Sequence, residues 1–231
     1  AMDQHFLSAP LNQNLPVVMA LCGIWNRNFL GATSHHIAPY LHALRTMPAH
    51  IQQLDMESNG KHTHRDGHAV EMDTAPIIWG GVGLEGQHAY FQLIHQGTHL
   101  VPIDFIGVRH ETLPMPLAET HLAVVNTNLQ AQAQAFALGR TPDEALAILS
   151  ASGMDESQAL SQLHHHTYGG NIPSHLIWMD ALTPGNLGAL MALYEHKVFC
   201  QSAIWRINPF DQWGVELGKA MVRDLEKKNK R

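Results

Sequence analysis

The chain has 231 residues, 45% of them hydrophobic and 15% charged, enough for one large domain with a substantial core and too apolar for a disordered or fibrous class. Lys and Arg total 14 against 20 Asp and Glu, a formal net charge of −6, and no basic stripe precedes the last nine residues, which argues against a nucleic-acid partner. No apolar run reaches the roughly 18 residues of a membrane span, and no basic segment followed by an apolar one opens the chain, so neither a membrane partner nor export is expected.

Ala1-Met2 reads as an internal start, and the chain is expected to be a piece of something longer. Asn14 to Leu30 (NLPVVMALCGIWNRNFL) predicts a mostly buried helix, with Pro16 in its first turn and Gly31 just past its end. A short extended segment around His36 to Tyr40 follows, then a helix within Leu41 to Asn59 that Pro48 interrupts or begins and Gly60 stops. Lys61 to Thr74 is polar, His-rich and aperiodic, a loop. Ala75 to Trp79 reads as a buried strand, Gly80-Gly81 as a turn, Glu85 to Gln96 as a helix, and His99 to Val108 as the next strand. Leu117 to Leu138 is a helix, followed by Pro142 to Ser150 capped by Thr141 and Glu156 to His165 capped by Asp155. Ser174 to Met179 is a further strand, Thr183 to Trp205 and Phe210 to Lys228 are long closing helices, and the terminal KKNKR is a solvated, fraying tail. Short buried strands alternating with longer helices predict an α/β three-layer domain on a central, mainly parallel sheet, whose ligands sit outside the carboxyl ends of the strands, near the Gly80 loop.

The two cysteines, Cys22 and Cys200, both lie in apolar helical stretches and read as small buried hydrophobes in a reducing cytoplasm. Eighteen His are unusual: protonating all 18 would carry the net charge from −6 to +12, a surface property that names no activity. His62, His64 and His68, and His164 to His166, lack a Cys or carboxylate at zinc-site spacing, so no metal is expected, and His35-His36 reads as surface or hinge. Gly81-Val82-Gly83-Leu84-Glu85-Gly86 matches the dinucleotide G-x-G-x-x-G. Glu85 would set a carboxylate beside the pyrophosphate at a helix N-terminus, and Asp104, the acid at about the right spacing, falls in mid-strand, so a tight turn for close packing or sugar approach is the preferred reading. Three segments place ionisable groups among apolar or glycine neighbours near helix ends: QQLDMESNGK (52–61), GQHAYFQLIHQGT (86–98) and FDQWGVELGK (210–219).

These segments, with MDQHFLSAPLNQNLPV, VPIDFIGV and LTPGNLGALMALYEHKVFCQSAIWRINPFDQWGVELGK, closely resemble the glucose-6-phosphate isomerase (phosphoglucose isomerase) family over essentially the whole chain. The F-D-Q-x-G-V-E-x-x-K run is long and specific. The resemblance implies a sugar-isomerase (SIS-type) domain over residues 1–231, with no cofactor and no metal. It also implies reversible conversion of glucose 6-phosphate to fructose 6-phosphate in glycolysis and gluconeogenesis. It assigns the acid-base carboxylate to Glu57, a histidine and a lysine of the site to His95 and Lys219, and substrate-chain contacts to Gln53 and Gln212. It further implies a cytoplasmic homodimer in which His95 serves the neighbouring subunit. The chemistry fits: moving a carbonyl between adjacent carbons needs one base to take a proton and return it through a cis-enediol, which Glu57 can do if burial tunes it, while His95 and Lys219 suit ring opening.

The resemblance covers the C-terminal part of the family's chain. No GGR string occurs here, and the family's N-terminal phosphate-binding domain is expected to be absent, so the piece alone is expected to be nearly inactive. Leu84-Glu85 stands where the family usually has Thr-Asn, and Ile172 where an Arg is usual. A stand-alone sugar-phosphate-binding module without catalysis is the alternative; such a module has no reason to keep Glu57, His95 and Lys219 together.

Overall fold

The computed structural model describes residues 1–112 and 114–229; the last two residues of the expected fraying tail, Lys230 and Arg231, lie outside them. In chain order the elements are helix α1 (Met2–Ser8), α2 (Leu15–Ile24) running into a π-helical turn (Trp25–Phe29), strand β1 (Ser34–Pro39), a 3-10 turn (His42–Leu44) and α3 (Met47–Asn59). Then come β2 (Ile77–Gly80), α4 (Gly83–Ala89), α5 (Phe91–Gln96), β3 (Ile103–His110), α6 (Ala118–Leu138), α7 (Pro142–Ala151) and α8 (Glu156–His166). β4 (Ser174–Ala181), α9 (Pro184–Trp205) and α10 (Trp213–Asn229) close the chain.

The four strands form one parallel sheet in the order β2-β1-β3-β4. Parallel neighbours require crossovers, and the helices that make them cover both faces. That double burial is why the first six residues of β3 are buried and, Asp104 apart, apolar or glycine. On one face Ile37, Ile78 and Ile106 meet Ile51 of α3, Met19 of α2 and Leu190 and Tyr194 of α9. On the other, Ala38, Ile103 and Phe105 meet Phe91 and Ile94 of α5 and Leu129, Ala133 and Phe136 of α6. The result is the three-layer α/β architecture that the alternation of strands and helices predicts.

Local chemistry sets the boundaries. Asn14, Thr141, Asp155 and Thr183 each accept a backbone N–H at a helix N-terminus, and Thr141 with Glu144 completes a reciprocal capping box. Pro48 begins α3 rather than interrupting it. The single helix expected over 85–96 is broken at Tyr90, whose ring packs 4.8 Å from that of His36 and 4.9 Å from that of Trp79. His35 and His36, expected at the surface, are buried at 4% and 0% exposure. A two-residue polar string is no guide to depth when the strand carrying it is the sheet's interior.

The glycine run serves packing. A Cβ on Gly83 would lie 1.9 Å from the buried Tyr40 ring, and one on Gly86 would lie 2.6 Å from the Tyr90 hydroxyl. Gly83 therefore lets α4 approach β1 as close as its backbone permits. Gly83→Ala should destabilise the fold by about 1–3 kcal/mol through overpacking, read as a lower urea midpoint with an unchanged slope.

Burial pushes His36 down to about 3, with the neighbouring His35 adding to it and Asp104 opposing. A folded-state value below the unfolded one means that the unfolded chain binds the extra proton below about 6.5. Stability is then lost as pH falls from there toward 3, at up to about 1.4 kcal/mol per pH unit. His36→Phe should reduce the stability lost between pH 6.5 and 5 by about 2 kcal/mol, measured by urea unfolding at both pH values.

Candidate active site

Glu57 takes its place from the buried side of α3. Met47, Ile51, Asp55 and Asn59 face inward. Asp55 Oδ2 receives the Lys197 ammonium of α9 at 3.0 Å, and Asn59 Nδ2 donates to the Val198 carbonyl at 3.4 Å. Removing either partner of such a buried pair would leave an uncompensated charge, so the pair sets the rotation of α3 about its axis. Glu57 then falls half-buried at the rim, and Gln53, four residues earlier, is exposed on the same face.

The closing segment of the chain returns to this rim. α9 ends at Arg206 in the left-handed conformation (φ 57°). The turn beyond it is held by Asn208 Nδ2 donating to Asp211 Oδ2 at 3.0 Å and by the Phe210 N–H donating to Asn208 Oδ1 at 3.2 Å. Gln212 Nε2 donates to Glu57 Oε1, which holds one oxygen of the carboxylate. Lys61 ties the same parts from below: its ammonium donates to the carbonyls of Glu57 (2.8 Å), Ser58 (3.0 Å) and Asp211 (3.0 Å) and lies 3.4 Å from Asp211 Oδ1.

The His-rich loop is pinned rather than free. His64 Nδ1 is 2.9 Å from the Trp205 carbonyl, the Arg65 N–H donates to the Arg206 carbonyl at 2.8 Å, and Arg206 pairs with Asp66 at 2.9 Å. Between this loop and residues 208–214 lies a cavity of about 390 Å³ lined by Lys61, Thr63, Arg65, Asn208, Asp211 and Trp213. It opens at the amino ends of the strands, because α3 runs back to the start of β2, where the Ala75 N–H donates to the Asn59 carbonyl. The carboxyl-end rule points to the Gly80 loop, whereas the Glu57–Gln212 pair sits at the opposite end.

His95 lies elsewhere. It ends α5, on the sheet face opposite α3, stacked on Phe136 with ring centroids 3.9 Å apart and edge-on to Tyr168 at 5.8 Å. Burial holds its imidazole below the ordinary value, and a hydrogen bond with Gln132 pulls the other way, leaving it neutral near pH 7. Two surface cavities flank it: one of about 440 Å³ edged by Gly97, Thr98 and Gly170, and one of about 340 Å³ edged by Gln87, Gln132 and Arg140. Ile172, standing where an Arg is usual, packs against the core on this face.

Lys219 is on α10, of which no residue is buried, and its ammonium is 2.7 Å from Glu216 Oε1 on the same helix. Trp213, Leu217, Met221 and Leu225, spaced four apart, are exposed at 59–77%, so the apolar face of α10 is uncovered in the single chain. Among the described residues no hydrogen bond or ion pair joins Glu57 to His95 or to Lys219. One chain brings Glu57, Gln212, Lys61 and Asp211 together, with Gln53 beside them. Lys61 and Asp211 are missed by the sequence argument, although both lie inside its motifs, because a lysine that binds carbonyls looks like any solvated lysine in sequence.

The chain matches the protein-family model described as Phosphoglucose isomerase over residues 1–231. Glucose-6-phosphate isomerase 1 of Neisseria gonorrhoeae is 53% identical over 224 residues, 97% of this chain and 40% of that protein. Glucose-6-phosphate isomerase of Helicobacter pylori is 51% identical over 221 residues, 96% of this chain and again 40% of that protein. A crystal structure of a glucose-6-phosphate isomerase from Chlamydia trachomatis superposes with a TM-score of 0.84 at 37% identity, covering 100% of this chain and 41% of that one. A hypothetical protein from Thermus thermophilus shares the fold, with a TM-score of 0.69 at 22% identity over 96% of this chain and 47% of that one. The chain thus spans about 40% of the length of the curated relatives it matches.

Lys61→Met keeps the aliphatic stem and removes the charge that holds three carbonyls, so it should cost about 1.5–3 kcal/mol. For a chain of this size that lowers Tm by roughly 5 °C, measurable by calorimetry, and proteolysis should quicken across residues 206–212.

Proposed function

The chain belongs to the phosphoglucose isomerase family, and from that premise we propose that it carries the proton-transfer carboxylate for interconversion of glucose 6-phosphate and fructose 6-phosphate. The observation that carries this reading is the hydrogen bond from Gln212, in the F-D-Q-x-G-V-E-x-x-K run, to the half-buried Glu57 of M-E-S-N-G-K. Two segments 155 residues apart meet at one carboxylate oxygen.

The free oxygen of Glu57 removes the proton from C2 of the open-chain aldose, the carbonyl oxygen at C1 takes up a proton, and the result is a cis-enediol. Returning the first proton to C1 while the C2 hydroxyl loses its own gives the ketose. One base on one face of a planar intermediate serves both transfers. Gln212 and the Lys61 clamp keep that oxygen oriented, and Gln53, one turn earlier, contacts the sugar chain. His95 and Lys219 handle ring opening, where one group protonates the ring oxygen as another accepts the anomeric proton.

Those two groups reach the site only through further protein. The opposite-face position of His95 supports its service to a neighbouring copy in a homodimer, and the uncovered apolar face of α10 supports its burial, with Lys219, in the assembled enzyme. No described helix is long and apolar enough to cross a membrane, which accords with an enzyme of the cytoplasm, and the placement in glycolysis and gluconeogenesis follows from the reaction.

The chain alone should show no isomerase turnover in a coupled assay, because phosphate binding and stabilisation of the enediolate are assigned to the family's other domain. Mixing with a separately expressed N-terminal portion of a relative should restore activity, and Glu57→Gln in that mixture should reduce kcat about 10²–10⁴-fold. Turnover by the isolated chain close to that of a complete relative, or full activity of Glu57→Gln, would overturn the reading.

A further inference from the structure

A second cluster of titratable groups lies within the sheet, and the isomerisation does not use it. Asp104, the second residue of β3, is fully buried and pairs in register with His175 of β4. Its Oδ1 is hydrogen-bonded to His175 Nδ1 at 2.7 Å and lies 2.9 Å from Nε2 of His35 on β1, and its Oδ2 accepts the Tyr194 hydroxyl of α9 at 2.8 Å. A carboxylate so enclosed needs a positive charge beside it, because hydroxyl and neutral imidazole donors offset only part of the lost hydration. The permanent cations on the surrounding elements are committed elsewhere. Lys197 of α9 is 3.0 Å from Asp55 Oδ2. Arg27 of the π-helical turn edges the same small hollow as His35 and Lys197, but it pairs with Asp73 at 3.4 Å and donates to the Thr74 carbonyl at 2.9 Å. The charge therefore falls to an imidazole. His175 is the closer of the two and the one open to water, its side chain 22% exposed against 5% for His35.

We propose that this cluster is a proton-held latch: β4 and α9 close on β3 with one proton carried in on His175, and alkaline conditions that withdraw it loosen their seat. Folding near neutral pH then takes up a proton, because the imidazole is neutral in the unfolded chain above about pH 6.5 and charged in the folded one. Tyr194 binds the same carboxylate, so the proton acts on α9 as well as on β4. Without its cation the carboxylate either stays buried and uncompensated or draws in water, and both outcomes displace its partners.

The electrostatics agree with this geometry. Burial works against the His175 cation, but the charge and hydrogen bond of Asp104 outweigh it and carry the imidazole up to about 10. A folded-state value above the unfolded one means that the stabilisation is complete below about pH 6.5 and is lost as pH rises toward about 10. The other groups facing the cluster titrate apart from it. Burial opposes the Asp104 charge, yet His35 and His175 hold it well below the usual carboxylate range, so it is ionised in both states above about pH 5. His36, the next residue of β1, is pushed down by burial to about 3 and is neutral in both states above about pH 6.5. Burial and then Asp104 raise Tyr194, so the tyrosine counts only above about pH 9. Beyond it stands the Lys197–Asp55 pair. The Cys22 thiol of α2 is lowered by His175 and would release a proton in the same range, with the opposite sign; Cys22→Ala removes it.

The inference is independent of the isomerase reading, and its test needs no turnover. Long-range 1H–15N spectra of the folded wild-type chain at pH 8 should show both ring nitrogens of His175 protonated. Urea unfolding of Cys22→Ala at pH 7 and pH 8.5 should show the folding equilibrium constant falling about twentyfold over that interval. Refolding the same variant at pH 8 in buffers of different ionisation enthalpy should show uptake of about one proton per chain. Adding His175→Gln, which keeps a side-chain N–H donor, should abolish that uptake, whereas His35→Gln should leave it. If a variant does not fold, the imidazole spectrum of the wild-type chain decides. A neutral His175 at pH 8, uptake that survives His175→Gln, or a folding constant in Cys22→Ala that holds level from pH 7 to 8.5 would overturn the proposal.

Discussion

A carboxylate with no access to water has to be satisfied by protein, and Asp104 is satisfied by three elements at once: β1 through His35, β4 through His175 and α9 through Tyr194. Removing the charge from water is expensive, and only close opposite charges and hydrogen bonds offset it. Burial alone would raise this carboxyl, yet His35 and His175 hold it well below the usual range. The fold around it is therefore specific: slipping one strand by one residue would turn Asp104 or His175 to the opposite face and leave the other partner buried without it. The parallel register, the docking of α9 and the rim where α3 ends all inherit this requirement.

The same sheet explains why the candidate catalytic groups are divided. Covering both faces is the condition for an all-parallel sheet, and here α2, α3 and α9 take one face while α5 and α6 take the other. Glu57 belongs to the first set and His95 to the second. A layer of packed side chains on either side of the backbone keeps them apart within one chain, however near they stand in a list of motifs. What does converge is the rim of α3, the His-rich loop and the segment after α9, joined by Lys61 and Gln212. There Gln212 donates to one oxygen of the Glu57 carboxylate, and Lys61 ties the end of α3 to the segment after α9.

Hydrogen bonds from ordinary-looking residues do much of this work. Lys61 spends its three donors on carbonyls, His64 pins a loop to Trp205, and Gly83 matters for the ring it lets approach. None of these roles has a compositional signature.

The order of strands and helices, the caps at Thr141 and Asp155, the parallel class and the segments around Glu57 and Gln212 could be read from the chain, because periodicity, capping and motif spacing are local properties. The depth of His35 and His36, the break at Tyr90, the end of the sheet at which the cleft opens and the separation of His95 from Glu57 could not. Each depends on which surfaces lie against one another, and contacts between separate elements leave no periodic trace along the sequence. The motifs that carry Glu57, His95 and Lys219 are local strings of sequence; which of those groups lie near one another was decided by the sheet that runs between them.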